Sequence, residues 1–326
     1  MTAAVQVAII DRPPDIALMP DESAVAAAAA ALRTGVAALK FYEPAALVGE
    51  VEPVHQYRVT LRRLRAAIEL LAGLLHGSRL RYYRLELPLL GHSAGAVRDC
   101  DALGELVRKN AASLDPAIAR ALVPAYQTIS DQRVAALRQF AQMLHSPRYV
   151  KLIERLNSPL LRRIPAEEIL AQRVPAMIRP VISGALRAGA RLTAASSATA
   201  FHRLRIRLKR VRYTFEMLDV ISGKQTSRAL KRLKRMQEIL GEQQDLVTTA
   251  IWMRQFARQP ILTGDTLLAT GAMLQLTTER RAEVAAEAFR LWQKFQQSAV
   301  LRKAQREIAE RTGVRRQALH EEEGAA

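Results

Sequence analysis

The sequence predicts an all-α protein, and three observations lead to that fold class. Alanine, leucine and arginine, which favour helices, are abundant, whereas glycine is sparse at 15 of 326 residues. Hydrophobic residues make up 49% of the chain but aromatic residues only 5%, so the apolar residues are mostly Ala, Leu, Val and Ile. No segment shows the sustained alternation of apolar and polar residues that is typical of a β-strand.

In the first half of the chain, proline and capping residues mark where helices begin and end. Residues 1–22 contain three prolines and no periodicity, and we expect them to form a disordered tail. Ser23 is suited to cap the first helix, and Pro53 is a favoured first-turn residue for the second. Helices are predicted over about 23–41, 53–75, 79–92, 96–111, 116–145 and 147–157.

The second half of the chain continues in the same helical style. Gly241 is expected to break the longest of its helices. Helices are predicted over about 165–192, 199–221, 226–257, 264–297 and 299–312. The chain is therefore divided into a first helical-bundle half, a second helical-bundle half and a C-terminal tail, over residues 23–160, 161–313 and 314–326.

Positive charge is the most pronounced feature of the composition. There are 49 lysines and arginines against 31 aspartates and glutamates, a formal net charge of +18 at pH 7. The excess is concentrated in the second half, where residues 201–235 alone contain 12 basic and 2 acidic side chains. Such a local excess predicts a polyanionic partner, which is nucleic acid, an anionic membrane surface or a free polyphosphate.

Cysteine content and hydropathy exclude several classes of protein. A single cysteine, Cys100, excludes an intramolecular disulfide and a cysteine-rich zinc module. The longest uninterrupted apolar run, residues 24–32, is far shorter than the ~20 residues that span a bilayer. The N-terminal residues do not have the basic and apolar regions of a signal peptide. We expect a cytoplasmic protein that does not insert into membranes and needs neither a metal nor another cofactor.

The chain contains an internal repeat. Residues 54–65 read VHQYRVTLRRLR and residues 201–212 read FHRLRIRLKRVR, so both follow the pattern apolar-His-x-x-Arg-x-x-Leu-basic-basic-apolar-Arg at a shift of 147. A second match, GAVRD at 95–99 with GEQQD at 241–245, comes at a shift of 146. Two matches at nearly one offset predict two related half-domains, arranged about a pseudo-two-fold axis.

Helical geometry places the repeated basic residues on one face of each helix. At about 100° per residue, four residues of the first copy lie within about 80° of one another and border the apolar face. We call them the first basic stripe; they are His55, Arg58, Arg62 and Arg65. The second basic stripe consists of the equivalent residues His202, Arg205, Lys209 and Arg212.

Each basic stripe differs from an ordinary solvated helix face. A solvated face requires charge, but neither a histidine at a fixed position nor a nearly uniform sign. Glu69 and Glu216 follow the last arginine of each copy by four residues, and each is expected to pair with that arginine. Cations beside the apolar face lie where two helices meet in a groove, and there they repel one another unless a polyanion bridges them. Arginine suits phosphate because its planar guanidinium binds two oxygens at once.

With these paired helices the sequence resembles the CHAD domain family, the conserved histidine α-helical domain. The resemblance extends over about residues 23–313. The first copy departs from the pattern in two places: Ala66 stands where the second copy has Tyr213, and Pro88 interrupts the helix that follows this copy. The resemblance implies two four-helix-bundle subdomains around a basic central cavity that binds inorganic polyphosphate without catalysis, and association with polyphosphate granules. Four further motifs contribute to it: GAVRD at 95–99, LGEQQD at 240–245, SPRY at 146–149 and RYTFE at 212–216.

The resemblance also implies which residues bind polyphosphate. They are the two basic stripes, together with Lys231, Lys234 and Arg235 on the next helix. Weaker candidates are Arg81, Arg84, Arg148, Arg290 and Lys294. Two acids, Asp99 and Asp245, either organise the phosphate site or serve as helix caps and ion-pair partners. The histidines outside the repeat are expected to be structural or exposed; they are His76, His92, His145 and His320.

Three other functions stay open from the sequence: a nucleic-acid binder, an enzyme and a scaffold at a membrane surface. Basic charge alone allows an RNA or DNA binder, although aromatic residues on which bases would stack are scarce near the stripes. An enzyme would be a histidine phosphotransfer bundle or a metal-dependent phosphohydrolase. The phosphohydrolase would use the two histidines with Asp99 and Asp245, but each copy offers only one His and one Asp, without the spacing of helical metal ligands.

Overall fold

Helices connected by short loops make up most of the protein in the computed structural model. The structure describes residues 12–165, 167–193 and 195–324, with the backbone alone over 314–324. The α-helices are α1 (Ala24–Leu47), α2 (Val51–Leu70), α3 (Gly77–Ala111), α4 (Pro116–Arg120), α5 (Val123–Leu144), α6 (Pro147–Asn157), α7 (Leu170–Ala190), α8 (Ala198–Met217), α9 (Lys224–Phe256), α10 (Gly264–Gln297) and α11 (Val300–Gly324). A 3₁₀ turn, Asp219–Ile221, follows α8.

The all-α prediction is confirmed for the part of the chain that the structure describes. Only two isolated bridges occur there, Ser23 with Ile169 and Leu75 with Leu161. Several helix ends are set by the expected side chains: the Ser23 hydroxyl accepts a hydrogen bond from the backbone of Ala26 at the start of α1.

The segment before α1 packs against the second half of the chain. Ile16 and Leu18 are buried, and the Leu18 backbone N–H donates to the Met217 carbonyl at the end of α8. Residues 20–24 then lie beside residues 168–171, where three backbone hydrogen bonds connect the two segments. From Ile16 onward the expected disordered tail is therefore an anchored segment, because its apolar side chains are buried. Residues 1–11 lie outside the described residues.

Several predicted helix boundaries were wrong, and at Pro88 and Gly241 the reason is that packing outweighs the local preference of a single residue. Pro88 lies inside α3, which is continuous, and the neighbouring Leu87 and Leu90 are buried. Gly241 lies inside the unbroken α9. The predicted helix 116–145 is two helices, α4 and α5, and α11 continues to Gly324, into the segment that was expected to be a C-terminal tail.

The helices pack within each half and also between the halves. In the first half, α2 packs against α1 and α3, and α5 packs against α3; in the second, α8 packs against α7 and α9, and α11 packs against α7 and α9. Contacts of α2 with α8 and of α3 with α9 join the two halves. The helices that contain the sequence repeat therefore lie against one another.

One continuous apolar core includes residues of both halves. Its largest buried side chains include Trp292, Tyr57, Tyr83, Phe140 and Phe201. A second, smaller cluster lies where the ends of α3, α4 and α5 meet α9 and α10. Because α2 and α8 contribute to one core, their basic stripes are held beside it at the junction of the two halves.

α1 has the length and hydropathy of a membrane-crossing helix, at a mean hydropathy of 1.4, but half of that segment is buried inside the protein. Its buried side includes Ala27, Ala31, Leu32 and Leu39, and it packs against α2. This is the packing of a core helix.

Candidate functional site

The basic stripes of α2 and α8 lie beside a cavity of about 420 Å³ to which α3 also contributes. Its cationic lining consists of Arg62, Arg65, Arg84, Lys209 and Arg210. Its apolar lining consists of Ala66, Ile68, Tyr83, Pro88, Ile206 and Tyr213. Glu69 is the acid of the lining. Members of both stripes therefore meet at one cavity.

Helical periodicity fixes the position of both stripes. The buried residues of α2 and of α8 recur at intervals of three and four, which gives each helix an apolar face toward the core. On α8 the Ser197 hydroxyl caps the helix by accepting a hydrogen bond from the Ala200 backbone. With the apolar faces fixed in the core, the stripes beside them have little freedom to rotate away from the junction.

Lys209 is the cation with the most unusual environment. Burial, followed by the positive charges of Arg62, Arg205, Arg58 and Arg212, lowers the pKa of Lys209 to about 6. Among the residues that the structure describes, no carboxylate forms an ion pair with this amine. Five basic side chains thus converge from two helices, an arrangement suited to an anion.

The first arginine of each stripe lies beside an aspartate of the following helix. Arg58 Nη1 is 2.9 Å from Asp99 Oδ1. Burial lowers the pKa of Arg205, and the charge of Asp245 opposes that shift. The Arg205 Nε is buried without a hydrogen-bond partner in the described structure. Asp99 and Asp245 both lie inside continuous helices, so they act on the arginines and do not cap a helix.

The glycines of the second sequence match lie against these same arginines. A Cβ atom at Gly95 would lie 3.6 Å from Arg58 Nε, and one at Gly241 would lie 3.5 Å from Arg205 Nη2. The second match thus corresponds to a repeated contact: in each copy, the first arginine lies over a glycine of the next helix.

The two repeat histidines are held by equivalent residues but in opposite tautomers. His55 Nδ1 accepts a hydrogen bond from Arg98 Nε at 3.4 Å, so its proton is on Nε2. His202 Nδ1 donates to Gln244 Oε1 at 2.6 Å, and Gln244 Nε2 donates to Thr248 Oγ1, which fixes the orientation of the amide. Burial and the charge of Arg98 lower the pKa of His55.

Reciprocal ion pairs connect the two copies of the repeat. Arg63 Nη2 of α2 lies 3.7 Å from Glu216 Oε2 of α8, and the equivalent Arg210 Nη2 of α8 lies 2.9 Å from Glu69 Oε2 of α2. Arg84 of α3 also donates to both oxygens of Glu69, at 2.8 Å each. Each acid therefore links its own helix to the opposite copy.

These contacts correct one predicted ion pair and bear out the other. Glu216 lies 3.3 Å from Arg212, four residues before it, as expected. Glu69 was expected to pair with Arg65, and this was wrong, because Arg84 and Arg210 reach its carboxylate from other helices.

Several residues that the resemblance implies do not line the cavity, and five members of the basic stripes are among them: His55, Arg58, His202, Arg205 and Arg212. Lys231, Lys234 and Arg235 are exposed, because the side of α9 that packs inward consists of other residues, such as Leu233 and Met236. The weaker candidates Arg81, Arg290 and Lys294 are exposed outside the lining, and Arg148 forms an ion pair with Glu86, whereas Arg84 lines the cavity.

The remaining histidines have local roles where the structure describes them. His76 caps α3 by accepting a hydrogen bond from the Ser78 backbone. His145 is exposed and contacts the Ala141 carbonyl, and His92 is exposed. The side chain of His320 lies outside the described residues.

Sequence reasoning missed the side chains that hold the stripes in place. Arg98, Gln244, Arg63 and Arg210 are all at matched positions of the two repeats. Their equivalence was the signal that could have identified them, since Arg63 and Arg210 are both basic at a shift of 147.

No group of three or more His, Cys, Asp or Glu side chains within the described parts of the chain is placed to hold a metal ion.

Comparison with known proteins agrees with this fold. A family model described as the CHAD domain matches residues 30–254. The solved CHAD domain from the plant Ricinus communis superimposes with a TM-score of 0.69 at 26% identity, over 85% of this chain and 95% of that one. PptA from Streptomyces chartreusis has a TM-score of 0.64 over 82% of this chain and 98% of its own, and at 19% identity it supports the fold alone.

Two curated relatives are described only as uncharacterized proteins. Both are from Mycobacterium tuberculosis, strains CDC 1551 and H37Rv, and each is 25% identical over 245 residues. The match includes 73% of this chain and 47% of each relative. The chain thus spans about half the length of the curated relatives that it matches.

Proposed function

Because this chain belongs to the CHAD domain family, we propose that it binds inorganic polyphosphate, without catalysis, along the two basic stripes of α2 and α8. The observation that carries the proposal is the convergence on Lys209 of four arginines, two from each copy of the repeat. Like charges held together beside a cavity repel one another, and a phosphate chain relieves that repulsion.

We also propose that the two halves form related four-helix bundles around this basic cavity, with a pseudo-two-fold axis between α2 and α8. The reciprocal pairs Arg63–Glu216 and Arg210–Glu69 support the axis, since equivalent residues exchange roles between the copies. The contacts of Arg58 with Gly95 and of Arg205 with Gly241 support it in the same way.

In this mechanism the cations of the stripes replace the counterions of the phosphate chain. Guanidinium groups bind phosphate oxygens bidentately, and the buried Arg205 Nε is a donor that has no hydrogen-bond partner among the described residues. His55, with its proton on Nε2, adds a neutral donor, whereas the proton of His202 is on Nδ1 and is donated to Gln244. Affinity therefore decreases steeply with salt.

A chain that is longer than the cavity extends past the stripes. The exposed Lys231, Lys234 and Arg235 of α9 are the cations proposed to contact such an extension. Binding of long chains in the cytoplasm would recruit the protein to polyphosphate granules.

The test is calorimetric titration of the purified protein with long-chain polyphosphate at two salt concentrations, with tRNA as competitor. We expect tight binding that weakens with salt and that tRNA does not displace. Equal affinity for tRNA would identify a general polyanion binder, the RNA or DNA alternative that the composition allows. Absence of binding at low salt would overturn the proposal.

Alanine substitution of Arg205, Lys209 and Arg212 should weaken polyphosphate binding by at least a hundredfold. Each lost charge-assisted contact is expected to cost about 1.5–3 kcal/mol. The matched control replaces Arg302, Lys303 and Arg306 of α11, which are the same residue types on a helix that does not contribute to this cavity.

The control should bind within a few-fold of the wild type, which separates the site from net charge. Circular dichroism of both variants should retain the helical signal. Loss of helix in the first variant alone would mean that its cations are structural ion-pair partners.

A further inference from the structure

The cavity has an apolar wall that an inorganic polyanion does not use. Ile206 of α8 is 52% exposed although its side chain is aliphatic. It lines the cavity together with Pro88 of α3 and Tyr213 of α8. A bare phosphate chain gains nothing from such a surface, whereas a ligand with an organic ring would bury it.

A carboxylate such as Glu69 is not expected in the lining of a site for a bare polyanion, because the two negative charges repel each other. Its oxygens accept hydrogen bonds from Arg84, and its Oε2 also contacts Arg210. A carboxylate has about four lone-pair positions, so these three contacts leave one for a further donor. A phosphate chain has only acceptors at neutral pH and is repelled by this charge, but a sugar hydroxyl can donate to it.

The same lining supplies phosphate ligands. Arg62, Arg65 and Lys209 line the same cavity as Ile206 and Glu69. Its volume, about 420 Å³, falls in the range of about 300–1,000 Å³ that is typical of small-molecule sites with apolar walls and a few polar groups. One cavity thus combines cations, an apolar wall and a hydrogen-bond acceptor.

We propose that this cavity binds a nucleoside polyphosphate, with the phosphates on Arg62, Arg65 and Lys209, the base against Ile206, and a sugar hydroxyl donating to Glu69. The inference rests on the proposed function only for the phosphate end, because the same cations serve both ligands. The base and sugar ends are additional binding elements, which inorganic polyphosphate lacks.

The test compares ATP with inorganic tripolyphosphate by calorimetry in buffer free of divalent metals. The two ligands have three phosphates each, and ATP has the smaller negative charge. We expect ATP to bind about tenfold more tightly, the gain from burying roughly one apolar side chain's worth of surface. Equal or tighter binding of tripolyphosphate would overturn the proposal, since charge alone would then explain the affinity.

A matched pair of variants locates the apolar contact. Ile206→Ser should bring ATP to the affinity of tripolyphosphate and leave tripolyphosphate binding unchanged. Val59→Ser is the control, because Val59 is the equivalent residue of the first copy and is not part of the cavity lining. An unchanged preference for ATP in Ile206→Ser would contradict the proposed position of the base.

Long-chain polyphosphate is titrated in parallel to separate the two proposals. Its binding should be the same in both variants and in the wild type, which also shows that the variants are folded. Failure of the wild type to bind long chains overturns the proposed function, whereas failure of ATP to exceed tripolyphosphate overturns this inference alone.

Discussion

At neutral pH the Lys209 amine is mostly uncharged, because burial and the surrounding guanidinium groups lower its pKa to about 6. The facing groups are Arg58 and Arg62 of α2 and Arg205 and Arg212 of its own helix. Among the described residues, Asp245 of α9 is an acid that interacts with this amine. A phosphate chain bound as proposed would add negative charge beside the amine and raise its pKa, so that binding would be coupled to proton uptake.

This coupling predicts that binding at pH 8 takes up close to one proton, and that affinity decreases as the pH rises above about 6. Calorimetry in two buffers of different ionisation enthalpy measures the uptake. At pH 8 His55, whose pKa is lowered, contributes little. Lys209→Arg should abolish the uptake, because arginine is charged in both states. A binding enthalpy independent of the buffer would contradict the coupling.

The same lowered pKa has a consequence for stability. The unfolded chain has a lysine with the ordinary pKa of 10.5, so between pH 6 and that value it binds more protons than the folded protein at Lys209. The stability of the ligand-free protein should therefore rise with pH in this window. Below pH 6 Lys209 is charged in both states, and the destabilisation that results from burying this charge is fully present. Urea unfolding of the wild type and of Lys209→Met at several pH values checks the sign, since the variant should lack this component.

Gly189 is the residue whose lack of a side chain the fold most clearly requires. A Cβ atom there would lie 2.0 Å from Trp292 Cζ2, and Trp292 Nε1 donates to the Gly189 carbonyl at 2.8 Å. Trp292 is fully buried, so it has no free space into which it can move. Gly189→Ala should destabilise the protein by about 3 kcal/mol.

Gly184 of the same helix provides the control for that substitution. A Cβ atom there meets only the end of the Arg207 side chain, at 3.6 Å. Gly184→Ala should be stabilising by about 0.5–1 kcal/mol, because alanine favours the helix interior. Chemical denaturation of both variants distinguishes steric conflict from helix propensity, and equal effects would contradict the packing argument.

At the scale of elements, a side chain of α11 caps the N-terminus of α9, although the two helices are far apart in sequence. Glu307 accepts hydrogen bonds from the backbone N–H groups of Gln225 and Thr226 and from the Thr226 hydroxyl. These groups are among the unpaired donors of the first turn of α9, which has no side-chain cap of its own. Burial opposes the charge of Glu307, but the hydrogen bonds outweigh it and lower the pKa of this carboxyl.

Glu307→Gln should therefore lower stability by about 1 kcal/mol at pH 7. Because the folded-state pKa is lowered, the contribution of Glu307 is complete above its ordinary value of 4.5 and is lost as the pH decreases below it. Denaturant unfolding at pH 7 and pH 4 should show the difference shrinking in acid. Glu310→Gln, on the same helix, is exposed and should have no effect at either pH.

Most elements could be predicted from sequence because their local signals and their packing agree. Ser23 and Ser197 cap α1 and α8 in the structure. The failures lie where packing outweighs a local preference. Pro88 interrupts no helix, because α3 is fixed by buried leucines on both sides of it, and Gly241 lies inside α9 against an arginine of α8.

At the scale of the whole molecule, the repeat predicted that each of two helices presents a basic stripe where helices meet. The structure brings these helices, α2 and α8, into contact. The repeat did not predict which residues of other helices would reach the site. The i to i+4 spacing suggested Arg65 as the partner of Glu69, but spacing along one helix contains no information on Arg84 or Arg210. The outward orientation of Lys231 likewise depends on which side of α9 packs inward.

The reciprocal pairs around Glu69 and Glu216 hold the two halves together against the repulsion of their cations. Replacing both acids by glutamine leaves the basic stripes without these opposing charges. The double variant should lose about 1–2 kcal/mol of stability without ligand, because each half-buried pair contributes roughly 1 kcal/mol. It should also bind polyphosphate more tightly, since negative charge at the site is removed.

Thermal unfolding at low salt, with and without long-chain polyphosphate, measures both effects at once. Polyphosphate should raise the melting temperature of the double variant by more than that of the wild type, because the ligand takes over the charge compensation that the acids provided. Glu86→Gln is the control: it breaks an ion pair with Arg148 that lies outside the cavity lining. A double variant with unchanged stability and weaker binding would mean that Glu69 and Glu216 orient the arginines for the ligand and do not hold the halves together.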